Sequence, residues 1–165
     1  MAFRAAGRVT RARPLLWMDI PTNCIFCRIV RGQAEASMVH EDETVVAFLD
    51  SHPVATGHVL VVPRRHASGL EDLDDESGAR MFAVARRVAL ALRHEAWGAD
   101  GVNLHLADGT AAGQSVFHAH LHVIPRHAGD GFGLRMPFGV RPTPNRKALD
   151  EIAARVRASM PAGRA

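Results

Sequence analysis

Apolar positions along the chain follow two periods. From Val116 to Val123 polar and apolar residues alternate strictly, which is the period of a half-buried β-strand. Such a strand puts Phe117, Ala119, Leu121 and Val123 on one face and His118, His120 and His122 on the other. Shorter runs bounded by turn residues predict four more strands. Met38–Glu41 and Thr44–Asp50 flank the acidic turn Glu41-Asp42-Glu43, His58–Val62 lies between Gly57 and Pro63, and Gly101–Ala107 leads into a glycine-bearing loop. The helical period appears three times. Ile25, Phe26, Ile29 and Val30 predict a short helix stopped by Gly32. Met81, Val84, Ala85, Val88 and Leu92 predict a long one, capped by Asp74 or Asp75 and running to about Ala96. Leu149, Ile152, Ala153 and Val156 predict a closing helix with Thr143 as cap and Pro144 in the first helical position.

These elements, in 165 residues without an internal repeat, fit one domain with one core. The domain is expected over 18–140, followed by an arm and helix over 141–165. Residues 1–17 contain Arg4, Arg8, Arg11 and Arg13 and no acid. They read as a disordered tail or a misplaced start, with Met18 opening the folded chain. The composition is partly that of a transit peptide, but Leu15–Met18 is too short for a secretory core of about 7–15 residues, so a cytoplasmic protein is expected.

Composition narrows the function. No apolar run is long enough to span a bilayer, so no membrane partner is expected. Aromatic residues are 5% and tyrosine is absent, which leaves little for stacking single-stranded nucleic acid. The formal charge is +3, and without the four leader arginines the rest carries −1. The basic balance therefore does not mark a nucleic-acid-binding face.

The chemistry lies in the histidines, the cysteines and the loop before the histidine strand. Three imidazoles on one extended face do not all reach one ion. Neighbours start about 6.6 Å apart and the outer pair about 13 Å apart, against a zinc–nitrogen bond of about 2.0–2.1 Å. Separate tasks are expected for His118, His120 and His122. Cys24 and Cys27, two residues apart, are no disulfide framework; the spacing suits half a metal site or a redox pair. Gly109 and Gly113 let backbone N–H groups approach an anion, and Gln114 and Ser115 add neutral donors. Donors beside imidazoles that titrate near neutrality suit a phosphate, with histidine as nucleophile or proton carrier.

The stretch Gly113-Gln114-Ser115-Val116-Phe117-His118-Ala119-His120-Leu121-His122-Val123-Ile124 resembles the signature of the histidine triad (HIT) superfamily. Four further blocks match in order: Cys24–Ile29, Glu41–Glu43, Ala47–Asp50, and Gly57–Pro63 with His66. Together they cover 24–127, and Gly129–Gly133 resembles an arm of the bacterial Hint-like branch, the branch with a Cys-x-x-Cys zinc site. The resemblance implies an α+β HIT fold: a mainly antiparallel five-stranded sheet with one long and one or two short helices, usually a homodimer. It implies a purine nucleotide substrate cleaved at the α-phosphate, as in nucleoside phosphoramidates or dinucleoside polyphosphates. His120 would be the nucleophile that forms a nucleotidyl-histidine. His122 and His58 would contact phosphate or relay protons, Gln114 and Ser115 would hold phosphate or leaving-group oxygens, and Asp50 would take the ribose hydroxyls. Ile25, Phe26, Ile29 and Phe48 would wall the base.

The resemblance also assigns Cys24, Cys27, His66 and His118 to a structural Zn²⁺. His122 stands where the transferase branch has glutamine, which favours hydrolysis. One position departs: Ala107 replaces the amide common in the family, which bears on rate and leaving group. Three alternatives remain open: a phosphorylase using phosphate in the second step, a nucleotide-binding interaction protein with negligible turnover, and a catalytic metalloprotein. His40, His52, His94, His105 and His127 read as surface or internally satisfied histidines.

Overall fold

The computed structural model describes residues 23–94, 97–132 and 145–161. The expected tail over 1–17, Gly133 of the arm, and the cap residues Thr143 and Pro144 lie outside the described residues. Helix α1 is Ile25–Val30 and carries Cys24 as its cap, with the Cys24 sulfur accepting from the Cys27 amide. Strands β1 (Met38–Glu41), β2 (Val45–Leu49) and β3 (Val59–Pro63) follow, then the long helix α2 (Asp75–Arg93). Strand β4 (Gly101–His105), a 3-10 turn at Thr110–Ala112, strand β5 (Leu121–Arg126) and helix α3 (Arg146–Ser159) complete the order. The result is the expected α+β fold. One antiparallel sheet runs β1-β2-β3-β5-β4.

The sheet is covered on both faces, and alternating side chains explain how. Val45, Ala47, Val59, Val61 and Val123 pack against Met81, Val84, Ala85, Val88 and Leu92 of α2. Val46, Phe48, Leu60 and Val62 point the other way and meet Phe26 of α1, with Ile29 beside them. Strands β2 and β3 are therefore apolar at nearly every position, because neither face is left to water. The β3 run that reads as strongly apolar in the sequence has this cause. Asp74 caps α2 by accepting from the Ser77 amide at 2.8 Å, and the helix ends at Arg93, short of Ala96.

Two expectations are corrected. Asn145, not Thr143, caps α3, its side chain accepting from the Ala148 amide. Leu149, Ile152 and Val156 of that helix are exposed. The larger correction is the fifth strand, which begins at Leu121, not Val116. Residues 116–120 form a bend, buried from His118 to His120: the His118 amide donates to the Val116 carbonyl at 2.9 Å and the Ala119 amide to the Ala67 carbonyl at 2.6 Å. His118, Ala119 and His120 are all buried, while Phe117, expected on the core face, is 54% exposed. The alternation there reflects a bend whose two sides are both occupied, not a half-buried strand.

Met81 is 2% exposed and its neighbour Phe82 is 59% exposed. Met81→Ala is expected to cost about 2–4 kcal/mol through lost burial and a cavity under the sheet. Phe82→Ala should stay within about 0.5 kcal/mol. Urea denaturation of the two variants checks this; equal losses would contradict the packing described.

Candidate functional site

Two sites meet at the bend 116–120. In the first, Cys24 and Cys27 at the start of α1 face His66, from the segment after β3, and His118. The His118 Nε2–H donates to the Pro63 carbonyl at 2.9 Å, which leaves its Nδ1 lone pair turned to the cysteines. That nitrogen lies 3.5 Å from each sulfur and 3.3 Å from His66 Nδ1, and His66 Nδ1 lies 3.2 Å from the Cys27 sulfur. A tetrahedral zinc with ordinary bond lengths holds its nitrogens about 3.4 Å apart and nitrogen from sulfur about 3.6 Å. These four separations are close to those of a zinc tetrahedron, and all four donor atoms lie within 4.8 Å of one another. Burial, with Cys24 beside it, pushes the Cys27 thiol up to about 12, and burial lowers His118 to about 4 and His66 below its ordinary value. Neutral imidazoles with free lone pairs are ligands, and a cation would reverse the cost of ionising the thiols. A Cys₂His₂ set leaves no open coordination position.

The second site is a hollow of about 1130 Å³. Its apolar wall comprises Ile25, Phe26, Ile29, Phe48 and Leu60, and its polar end Ser115, His120 and His122, with Asp50 on the rim. His120 is 4% exposed, and its Nδ1–H donates to the His118 carbonyl at 2.7 Å. The proton is thereby assigned to Nδ1, and Nε2 carries the free lone pair. The rings of His120 and His122 are 4.9 Å apart. His122 Nδ1 is 2.8 Å from His58 Nε2, and His58 Nδ1 is 3.4 Å from Asp50. These contacts make a line Asp50–His58–His122 that leads to the polar end. Burial lowers His122 to about 4, with the neighbouring histidines adding to the effect, and burial lowers His58 against the pull of Asp50.

The sequence-predicted residues therefore divide into two groups. His118 joins Cys24, Cys27 and His66; His120, His122, His58, Asp50, Ser115, Ile25, Phe26, Ile29 and Phe48 gather around the hollow. Gln114 joins neither. Its side-chain oxygen accepts from the Gly109 amide at 2.8 Å, and its amide donates to the carbonyls of Ser68 at 2.7 Å and Val116 at 3.1 Å. Expected on phosphate, it is buried and ties the loop behind the hollow. Gly109 and Gly113 have φ of 82° and 89°, so the loop takes turns that a side chain would strain. Ala107 is buried and does not line the hollow.

Some residues have no local signal. Leu60 reaches the hollow through its register with His122, and Glu35, Ser37, Ser51 and His52 through the loops that frame it. His105, read as a surface or internally satisfied histidine, is the cross-strand partner of His122, with ring centroids 5.8 Å apart. Its signal was position: counting β4 back from β5 places it there.

An antiparallel sheet with a short helix over one face, and three alternate histidines divided between a metal-ligand cluster and a hollow, defines a histidine triad domain. The chain belongs to the HIT family: the model of the HIT domain matches residues 31–129. Among its relatives is Protein hit of Bacillus subtilis, 44% identical over 117 residues that cover 70% of this chain and 80% of that one. A Zn-bound histidine triad family protein from Mycobacterium smegmatis superposes with a TM-score of 0.64 at 39% identity, covering 84% of this chain and 98% of that one. A histidine triad nucleotide-binding protein from Candida albicans superposes at 0.71 with 25% identity, covering 82% and 95%. Among the described residues, no helix is long and apolar enough to cross a membrane.

The lowered pKa values carry a sign. A histidine held neutral in the fold accepts its proton at lower pH than in the unfolded chain, so the unfolded state gains protons first on acidification. Stability should be unaffected by His122 above about pH 6.5, then fall as the pH drops toward about 4. His122→Gln should remove its share of that slope, read as denaturation midpoints between pH 7 and pH 4.5. An unchanged slope would contradict the environment described for His122.

Proposed function

We propose that the protein is a nucleotide hydrolase that cleaves at the α-phosphate of a nucleoside 5′-phosphate derivative, a phosphoramidate or dinucleoside polyphosphate. The observation that carries this reading is the His120 ring, with Nδ1–H fixed on the His118 carbonyl and Nε2 free at the polar end of the hollow. An imidazole held in that tautomer is a nucleophile that needs no base to deprotonate it. Its Nε2 bonds to the α-phosphorus as the bond to the leaving group breaks, giving a nucleotidyl-histidine. Water then attacks the same phosphorus, the P–N bond breaks, and the nucleoside monophosphate leaves.

The other residues take roles that follow from where they stand. His122, neutral and joined to His58 and Asp50, donates to a phosphate oxygen or moves the proton that the leaving group requires and the water releases. Ser115 offers its hydroxyl to the phosphate or leaving-group oxygen. Ile25, Phe26, Ile29 and Phe48 give the base an apolar wall, and Asp50 on the rim accepts from the ribose hydroxyls. Gln114 acts by holding the Gly109–Val116 loop, so its part is positioning. Cys24, Cys27, His66 and His118 would hold a Zn²⁺, which supplies cross-linking between α1 and the bend, not chemistry. The name of the Candida relative, which describes a nucleotide-binding protein, supports the ligand class. We propose a homodimer as the working assembly, on the family resemblance alone.

His120→Asn should lose at least about 10³-fold in turnover of a nucleoside phosphoramidate while binding nucleoside monophosphate within about threefold of the unaltered protein. If both proteins bind the nucleotide and neither cleaves a phosphoramidate or a dinucleoside polyphosphate, the chain is a binding protein and the hydrolase reading fails. Nucleoside diphosphate appearing on addition of inorganic phosphate would make it a phosphorylase.

Elemental analysis of purified protein should find about one zinc per chain, and Cys27→Ser should lose it with a drop in thermal stability. A chain without metal at full stability would overturn the assignment of the cluster.

A further inference from the structure

The hollow has a direction, and the sheet register gives it. His122 on β5 pairs with Leu60 on β3, Leu60 with Phe48 on β2, and Phe48 with Met38 on β1. Residues directly opposite share a face, and adjacent strands lie about 4.8 Å apart. From the β5 row to the β1 edge the hollow crosses three strand spacings, about 14 Å. Its lining follows the same path: His120, His122 and Ser115 at one end, Leu60 and Phe48 along the floor, and Glu35, Ala36 and Ser37 just before β1. A nucleotide with its phosphorus at His120 and its base against Phe26 and Phe48 therefore presents the edge of the base farthest from the sugar to the segment 35–37.

Two acids line the hollow. Asp50 stands 3.4 Å from His58, at the phosphate and ribose side. Glu35 lines the hollow from the segment before β1 and is exposed there, with Ser37, whose carbonyl accepts from the Leu49 amide at 2.9 Å, two residues on. A carboxylate accepts two hydrogen bonds side by side and donates none. Guanine offers that pair, its N1–H and exocyclic amine lying on one edge. Adenine offers its exocyclic amine beside N1, whose lone pair would face the carboxylate. Hypoxanthine keeps the N1–H and lacks the amine.

We infer that Glu35 reads the base and that the preferred substrates are guanosine 5′-phosphate derivatives, with inosine intermediate and adenosine disfavoured. This rests on the nucleotide-hydrolase reading above and gives that site its base selectivity. Charged hydrogen bonds at an open rim warrant a preference of about tenfold in kcat/KM for guanosine over adenosine phosphoramidate. The preference should lie in KM, because the contact is the same before and during cleavage.

The test pairs turnover with binding. Phosphoramidates of guanosine, inosine and adenosine are compared in the unaltered protein, Glu35→Gln and Glu35→Ala. Binding of guanosine, inosine and adenosine monophosphate to His120→Asn is measured by calorimetry. The expected result is the order guanosine, inosine, adenosine in both measurements, with the spread falling to within about twofold in both Glu35 variants. Equal use of the three bases, or a guanosine preference that survives Glu35→Ala, overturns the inference and leaves the hydrolase reading standing. If none of the monophosphates binds, the nucleotide reading falls and this one with it. Glu35 is exposed, so neither variant removes buried packing.

Discussion

One residue, His118, holds the two sites in register, and it does so with three separate groups. Its Nε2–H is anchored on the Pro63 carbonyl at the end of β3, its Nδ1 faces the cysteines and His66, and its backbone carbonyl takes the proton of His120 Nδ1. Each bond constrains the next. The anchor on Pro63 fixes the tautomer of His118, which fixes the atom it offers to a metal. The carbonyl fixes the tautomer of His120, which fixes the atom it would offer to phosphorus in the proposed reaction. The bend is buried at three successive residues, and these bonds satisfy the Nε2–H and carbonyl of His118 and the Nδ1–H of His120. The cluster is therefore more than a local staple. It sets the conformation of the backbone from which the reactive ring hangs.

The double-sided sheet supplies the rigidity this arrangement needs. Val46, Phe48, Leu60 and Val62 form an apolar floor under α1, and the opposite side chains of the same strands are sealed by α2. A floor with no freedom on its far side is a fixed reference for the rings above it. The same burial that stiffens the floor keeps the imidazoles His58, His118 and His122 neutral. Neutral rings suit both sites: His118 must offer a metal a lone pair, and a neutral His122 both accepts and donates a hydrogen bond.

Much of this was legible in the sequence, and the limits have physical causes. Helix α2 and strands β2 and β3 were readable because their apolar positions are buried: Met81, Val84, Ala85, Val88 and Leu92 of α2 show the stripe directly. That the three imidazoles have separate tasks was expected from their spacing, whereas the assignment of His118 to the cysteines came from the family resemblance, and the chain that separates the rings is bent there, not extended. The bend at 116–120 was not legible. A period of two describes alternation in composition, and a turn stabilised by partners distant in sequence, Ala67 and Pro63, can carry the same letters. Gln114 shows the converse failure. A polar side chain beside a glycine loop looks like a ligand donor, yet its three hydrogen bonds all go to backbone. Only the loop's shape decides between those uses. His105 was lost for a third reason: its neighbour is defined by strand register, which no local pattern reports.

Cross-strand rows convert sequence into distance, because each strand adds a nearly constant step perpendicular to the chain. The row His105, His122, Leu60, Phe48, Met38 spans the whole sheet on the face that carries the hollow. Along it the chemistry changes from titratable imidazole to apolar floor to the polar segment before β1. A ligand with an anionic end, a flat middle and a hydrogen-bonding far edge matches that order only in one orientation. The reversed orientation would bring phosphate against Glu35 and leave the base beside His120, placing like charges together at one end and an uncharged edge against the reactive ring at the other. On the proposed reading, the hollow would select not just the class of ligand but the end by which it enters, and it would do so through strand order.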